Sequence, residues 1–437
     1  MRLKDILEID FFILLPVIIL MVFGVLFIYS SGITSDGTLV SREYLRQIIW
    51  ASTGLAVALA LALVNYRRFY EIALYPYILI LIPLLYTCIF GGEARGTRWL
   101  RIGTFGLQVS EFAKITTIIF LARYLADTRL SGNTFIRFLT SCFIVFIPMG
   151  IVLIQPDLGT SLVFIPILLF MSFVAGVATR YVVFSVSCIL LTGVLTVLPL
   201  WQTYILRKSL PFLVMLTNPR LIVIVILALA LIIAIAVFGY LKYQKRYFYW
   251  LAYIFAAVVF SLGASYMARG VLKNYQIMRL IVFLDPNIDP RGAGWNIIQS
   301  ITAIGAGGFT GQGYLQGTQS HYRFLPEQST DFIFSIFSEE AGFIGGVAVF
   351  ILFLIICLRI LQTGRVTTDP FASYICAGLV GVYSFHFMIN VGMTMGIMPI
   401  TGIPLVFMSY GGSSLISAMM GIGLVLSIYV RRYNYQI

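Results

Sequence analysis

Residues 325–360 read LPEQSTDFIFSIFSEEAGFIGGVAVFILFLIICLRI. The segment is polar up to Thr330, places a carboxylate at Asp331, and then runs apolar from 332 to 358 with Glu339 and Glu340 as its only charges. A bilayer's hydrocarbon core takes roughly 20 apolar residues as one helix, so this stretch reads as a membrane span entered just after Asp331. Comparable runs lie near 10–30, 46–64, 72–90, 108–125, 138–154, 160–177, 181–200, 220–241, 249–268, 372–392 and 405–430. The fold class expected is therefore all-α, a polytopic integral membrane helical bundle of about 12 spans. The residue alternation of a membrane barrel is missing.

Composition agrees. The chain has 437 residues, 60% of them hydrophobic and 11% charged, and its mean hydropathy is +0.98. No water-soluble domain has that balance. The net charge of +12 sits in short loops between apolar runs, which points to membrane orientation and anionic lipid rather than nucleic acid. Five cysteines fall inside apolar runs without paired spacing, and the two histidines, His321 and His386, are far apart in sequence, so neither a disulfide framework nor a zinc site is written here.

Cation placement gives a topology. With the N-terminus inside, the inner loops hold Arg67, Arg68, Arg129, Arg137, Arg180, Lys242, Arg359, Arg365, Arg431 and Arg432, and both termini are expected to be cytoplasmic. The outer side is then also basic, with Arg46, Arg95, Arg98, Arg207, Lys208, Arg279, Arg291 and Arg323, as an anionic ligand would require. The one long non-apolar stretch, 269–330, is expected to be a large extracytoplasmic loop, with a short interfacial helix over Trp295–Ile304. The glycine run GAGGFTGQG at 305–313 lacks both the G-x-G-x-x-G spacing and a following G-K-[ST]. It reads as a tight turn, or as backbone N–H groups near a phosphate, rather than as a nucleotide fingerprint.

Ionisable groups within spans are expensive and mark functional candidates. Glu111 and Lys114 are three apart on one helix face: they either neutralise one another, or Lys114 contacts an anionic substrate that Glu111 helps orient. Asp157, in QPDLGT, either caps a helix or contacts a metal or substrate. Asp331 need not cap, since Ser329 and Thr330 are equally suited. With Ser335 and Ser338 it is expected to share a polar helix face, where a carboxylate could serve as general base for a sugar hydroxyl.

Several ordered stretches resemble the SEDS family (shape, elongation, division and sporulation proteins), most closely its elongation members. They are Arg46-Gln47, GTRWLRIG with QVSEFAK, QPDLGT, YQIMRLIVFLDP with GWNIIQSITAIGAGG and GTQ, LPEQSTDFIF with EEAG, and NVGMTMGIMPITGIPLVFMSYGGSS. The resemblance implies a single membrane domain over 1–437, with a core of about ten spans. It covers the chain outside 201–265, a probable insertion carrying an extra helix pair. It further implies a peptidoglycan glycosyltransferase polymerising lipid II at the outer face of the bacterial cytoplasmic membrane. Its partners would be a class B penicillin-binding protein and other elongation-complex membrane proteins. Asp331 matches the family's essential aspartate, and Arg46, Arg98, Glu111, Lys114 and Asp157 match positions lining the substrate cavity, with Arg279 and Arg323 as further contacts. A divalent cation, Mg or Mn, is the cofactor implied, with no organic cofactor. The chain departs from the pattern at Ser329, where histidine is usual, at Val109, where proline is usual, and at Trp295-Asn296, where Tyr-Gln is common. Two other roles remain open on this reading, a lipid II flippase and a non-enzymatic scaffold for cell-wall synthases.

Overall fold

The structure, a computed structural model, describes residues 10–90, 98–102, 105–130, 132–206, 210, 213 and 216–432. Glu93, Arg95, Arg207 and Lys208 lie outside the described residues. The chain is a polytopic all-α membrane protein, and among the described residues nine helices are long and apolar enough to cross a membrane. It divides into two compact units, one of 178–295 and one of the remainder.

The larger unit opens with α1 (Phe11–Ser31), α2 (Glu43–Leu63), a short α3 (Arg67–Ile72) and α4 (Leu74–Phe90). A hairpin follows, β1 (Trp99–Ile102) paired antiparallel with β2 (Phe105–Gln108), Trp99 opposite Gln108. Next come α5 (Val109–Asp127), α6 (Thr134–Ile154), α7 (Leu158–Leu162) and α8 (Phe164–Val174). Helix starts are written locally: Asp10 and Asn133 cap α1 and α6 through side-chain oxygens, each satisfying an N–H with no partner inside the helix.

The smaller unit holds α9 (Thr179–Trp201), α10 (Pro219–Tyr243), α11 (Arg246–Val271) and α12 (Asn274–Leu284). A reversal at Gln244, which adopts the left-handed conformation (φ 53°), joins α10 to α11, and α9 packs on α11. Leu213, Leu216 and Leu262 form its small core. Only 11% of the apolar window of α10 is buried, so most of its surface faces outward, as suits a helix in lipid. Arg279 belongs to this unit and lies over the Tyr275 ring.

The chain returns to the larger unit within α13 (Ala293–Gly307), the helix expected over Trp295–Ile304. After it come α14 (Thr318–His321), α15 (Ile333–Val366), α16 (Pro370–Thr394) and α17 (Gly412–Val430). The stretch treated in sequence as one long loop thus contains helices of its own. α16 is at the centre, packed against α5, α8, α15 and α17, with 72% of its window buried. The polar groups it carries therefore face protein rather than lipid. Arg359 on α15 binds the Asp10 carboxylate at 2.6 Å, and Ser30 of α1 donates to Glu340 of α15. These two bonds lie at opposite ends of α1, so α1 and α15 run antiparallel.

α15 is not continuous. Gly342 has φ 67° and ψ −166°, a conformation essentially reserved for glycine. The glycine run fills the break: Gln312 and Gly313 donate their N–H groups to the carbonyls of Glu339 and Glu340, and Phe343 donates back to Gly308. Any side chain at Gly342 would meet the backbone of Thr310 and Gly311. The glycines are needed for close backbone approach to the broken helix, and the N–H groups of Gln312 and Gly313 are used there rather than on a phosphate.

Candidate active site

Asp331 lies two residues before α15, whose N-cap is Phe332, so its carboxylate does not occupy the capping position. Its backbone carbonyl accepts a 2.9 Å bond from Asn390 Nδ2 on α16. The same nitrogen donates to the Ile403 carbonyl at 2.8 Å, and Asn390 is fully buried. Asn390 Oδ1 has no partner among the described residues. Two residues upstream, Ser329 donates to Glu43 at 2.7 Å, and its carbonyl accepts from the Tyr410 N–H.

Arg46 follows Glu43 by three residues on α2 and shares that helix face. Its guanidinium is exposed and has no partner among the described residues. The neighbouring Gln47 is buried and donates to the Ser409 carbonyl at 3.1 Å. Arg323 is likewise exposed, in a left-handed turn (φ 55°) after α14. The Ser35 N–H bonds to the His321 carbonyl and holds that turn against the α1–α2 connection.

Asp157 is the cap foreseen as one alternative, and it does more than cap. It accepts from the Thr160 N–H at 3.2 Å and the Thr160 hydroxyl at 3.0 Å, lies 3.7 Å from Arg98, and accepts from Gln108 Nε2 at 3.1 Å. Arg98 also donates to the Pro156 carbonyl at 3.0 Å. Gln108 ends the hairpin, and its N–H donates to Ser413 on α17.

Glu111 and Lys114 form an ion pair at 2.9 Å with both side chains buried. Lys114 Nζ is also 3.1 Å from His386 Nε2, and His386 Nδ1 is 3.2 Å from the Pro404 carbonyl. A carbonyl can only accept, so Nδ1 carries the proton and Nε2 accepts from the ammonium.

All three clusters converge on one segment, Ile400–Gly411. Its residues accept from Gln47 and Asn390, bond His386 through Pro404, and tie to Ser329 through Tyr410, while Thr401 O lies against Gly159 beside the Asp157 cap. The segment and Asn390 fall within the stretch NVGMTMGIMPITGIPLVFMSYGGSS, but no residue of it was assigned a role from sequence, and neither were His386 and Asn390. Those two are polar residues one helical turn apart in an apolar run, a spacing that could have flagged them.

Ser335 and Ser338 do not open a polar groove with Asp331. Ser335 is fully buried and bonds Ser300 of α13 at 2.6 Å, and Ser300 in turn donates to the Thr394 carbonyl, so this face packs on α13 and α16. Glu339 accepts the N–H groups of Gln319 (2.7 Å) and Ser320 (3.2 Å), completing the first turn of α14. Glu340 accepts from Ser30 and from the Leu315 N–H. His321 Nε2 is 3.9 Å from Glu340, but burial holds the imidazole below its ordinary pKa, more than the Glu339 charge raises it. The imidazole is therefore neutral at neutral pH, and the contact is not a salt bridge. Among the described residues no three His, Cys, Asp or Glu side chains converge as a metal cage.

Comparison with known proteins adds to this geometry. The family described as "Cell cycle protein" (FtsW, RodA, SpoVE) matches residues 11–220 and 200–434. The chain is 46% identical over 433 residues to a protein of Treponema pallidum (strain Nichols) named "Peptidoglycan glycosyltransferase RodA", covering 99% of this chain and 100% of the relative. It is 30% identical over 420 residues to "Peptidoglycan glycosyltransferase MrdB" of Escherichia coli (strain K12), covering 96% and 93%. A chain from a structure described as "Structural coordination of polymerization and crosslinking by a peptidoglycan synthase complex" superposes with a TM-score of 0.65 at 23% identity. That match covers 97% of this chain and 98% of the other, and establishes a shared fold.

Proposed function

The chain belongs to the FtsW/RodA/SpoVE family of cell cycle proteins, the SEDS proteins, and from that premise we propose that it is a peptidoglycan glycosyltransferase polymerising lipid II during cell elongation. The observation that carries the catalytic assignment is the grip of Asn390 on the Asp331 backbone. It fixes this acid at the end of a membrane helix without drawing its carboxylate into the helix cap.

In this reading the Asp331 carboxylate takes the proton from the 4-hydroxyl of the acceptor N-acetylglucosamine as that oxygen attacks the anomeric carbon of the donor N-acetylmuramic acid. The bond from that carbon to the pyrophosphate breaks, and undecaprenyl pyrophosphate leaves with the electron pair. Arg46 and Arg323, with exposed guanidiniums, and Arg98, at the rim of the Asp157 cluster, are the cations that would neutralise the departing pyrophosphate in this reading. Glu111 and Lys114 fix α5 to α16 and so support the helix that holds Asp331. Since no three His, Cys, Asp or Glu side chains converge among the described residues, Mg2+ or Mn2+ would be held mainly by substrate phosphate oxygens and water. The ion would add positive charge at the leaving group.

The Asp331 end is assigned to the outer face of the bacterial cytoplasmic membrane. Arg67, Arg129, Arg365 and Arg431 gather at the other end, as inner loops require. The likeness to a synthase-complex chain supports a class B penicillin-binding protein as partner. The deciding experiment gives lipid II to the purified protein with its partner, the partner's transpeptidase blocked. Glycan polymer is expected from the wild type, and Asp331→Asn is expected to abolish it at unchanged melting temperature. Full activity in that variant would remove Asp331 from the chemistry. Lipid translocation without polymer would make the protein a flippase.

A further inference from the structure

At the end of the larger unit opposite Asp331, a cavity of about 560 Å³ opens among the ends of α5, α6, α8, α15 and α16. Its charged lining is three arginines, Arg129, Arg137 and Arg365, against one acid, Asp369.

The acid is already committed. Asp369 caps α16 by accepting from the Phe371 N–H at 3.0 Å, accepts from the Tyr66 hydroxyl at 3.0 Å, and lies 4.0 Å from Arg67. The cations are not neutralised in return. Arg137 is buried, and its guanidinium donates only to neutral oxygens: Thr128 Oγ1 at 3.1 Å, Ala175 O at 2.9 Å and Leu125 O at 2.7 Å. It therefore caps the C-terminal ends of α5 and α8, whose carbonyls balance its charge in part, and no acid neutralises it. Arg129 and Arg365 are exposed and have no partner among the described residues.

Helix ends of both signs meet here: α6 begins at Thr134 and α16 at Pro370, while α8 and α15 end beside the same lining, so their dipoles offset one another and the arginines set the sign of the cavity. The hydroxyl-bearing residues Thr134, Thr368 and Ser373 line it as well. Guanidinium forks and hydroxyl donors are the donor set of a phosphate site. The rim adds apolar character: Val174 (41% exposed) and Val366 (40%) stand beside it, at the ends of the apolar helices α8 and α15.

We propose that this cavity binds the phosphate-bearing headgroup of an anionic phospholipid from the leaflet at that end, its acyl chains lying along the neighbouring apolar helix surface. Basic pockets between membrane helices take such headgroups, and each exposed arginine adds attraction to a negative leaflet. Nothing in the proposal depends on the reaction assigned to Asp331.

The test is native mass spectrometry of the full chain in detergent, titrated with phosphatidylglycerol or phosphatidylcholine, with inorganic phosphate as competitor. Wild type is expected to retain phosphatidylglycerol in preference to phosphatidylcholine. The double variant Arg129→Gln with Arg365→Gln is expected to weaken that binding roughly thirtyfold at unchanged melting temperature. The control Arg68→Gln with Arg246→Gln, at arginines that do not line the cavity, is expected to bind as wild type does. Equal retention of the two lipids, an unchanged double variant, or an equal loss in the control would each overturn the proposal. Displacement of the lipid by millimolar inorganic phosphate would assign the site to the free anion, and so would also overturn it.

Discussion

Lys114→Met should cost this protein far more than the loss of one surface lysine. Lys114 and Glu111 are both buried, with side chains 3% and 4% exposed, and meet at 2.9 Å, so solvent does little to screen them. Removing the ammonium leaves a buried carboxylate without its counter-charge and the His386 Nε2 lone pair without a donor. Breaking a buried pair from one side costs roughly 3–5 kcal/mol, whereas replacing both partners with neutral groups of similar size is nearly neutral. For a chain of this size that corresponds to a melting temperature lower by roughly 3–5 °C in the single variant. Glu111→Gln combined with Lys114→Met should recover to within about 1.5 kcal/mol of the wild type. Differential scanning fluorimetry in detergent reads the stabilities, and lipid II polymerisation with the partner reads function. If the pair acts by holding α5 to α16, the double variant regains both stability and polymer. A stable but inactive double variant would refute this reasoning and give Lys114 a direct contact with substrate. A single variant as stable as wild type would refute the energetic premise.

Three further outcomes follow from the same geometry. Asn390→Ala removes two backbone-carbonyl bonds, one of them to Asp331, and a displacement of about 1 Å at the base should lower the polymerisation rate on the order of a hundredfold, read at saturating lipid II. An unchanged rate would mean Asp331 is positioned by other contacts. Gly342→Ala forces a side chain into a glycine-only conformation against the 310–311 backbone and should destabilise by about 1–3 kcal/mol from strain alone, measured by thermal melting. His321 has its pKa depressed below 6.5 in the folded state, so the unfolded chain binds more protons in acid. Its contribution to stability is complete above pH 6.5 and is lost as pH falls below it, and His321→Asn should flatten the melting-temperature profile on the acid side. A profile identical to wild type would show that another group titrates there.

Much of the architecture is legible in sequence because bilayer thickness turns each apolar run into a helix of similar length. The entry of α15 just after Asp331, the helix over Trp295–Ile304 and the Asp157 cap are all carried by side-chain type and local spacing. What resists reading is contact made through the backbone. Ile403, Pro404 and Ser409 act through their carbonyls, and a carbonyl leaves no mark in a one-letter code. The glycine run suggests a surface turn because the partner that explains it, the broken turn at Gly342, is remote in sequence. The β1–β2 hairpin is hidden for a similar reason: each strand is only four residues long, too short for a clear alternation. Ser335 looked like part of a groove because helical spacing tells which residues share a face but not what covers that face.

The Ile400–Gly411 segment has a consequence for how this protein tolerates change. It contains no acid, base or nucleophile suited to glycosyl transfer, yet it fastens α2, the Ser329–Asp331 approach, His386 and Asn390 to one another. In a saturation mutagenesis scored by growth, such a segment would be as intolerant as the reacting residues themselves, through the buried side chains of Ile403, Leu405, Phe407 and Met408 whose packing fixes where its carbonyls stand. A map of intolerance would therefore mark two regions of this chain alike, one that performs the transfer and one that only sets the distances at which it occurs.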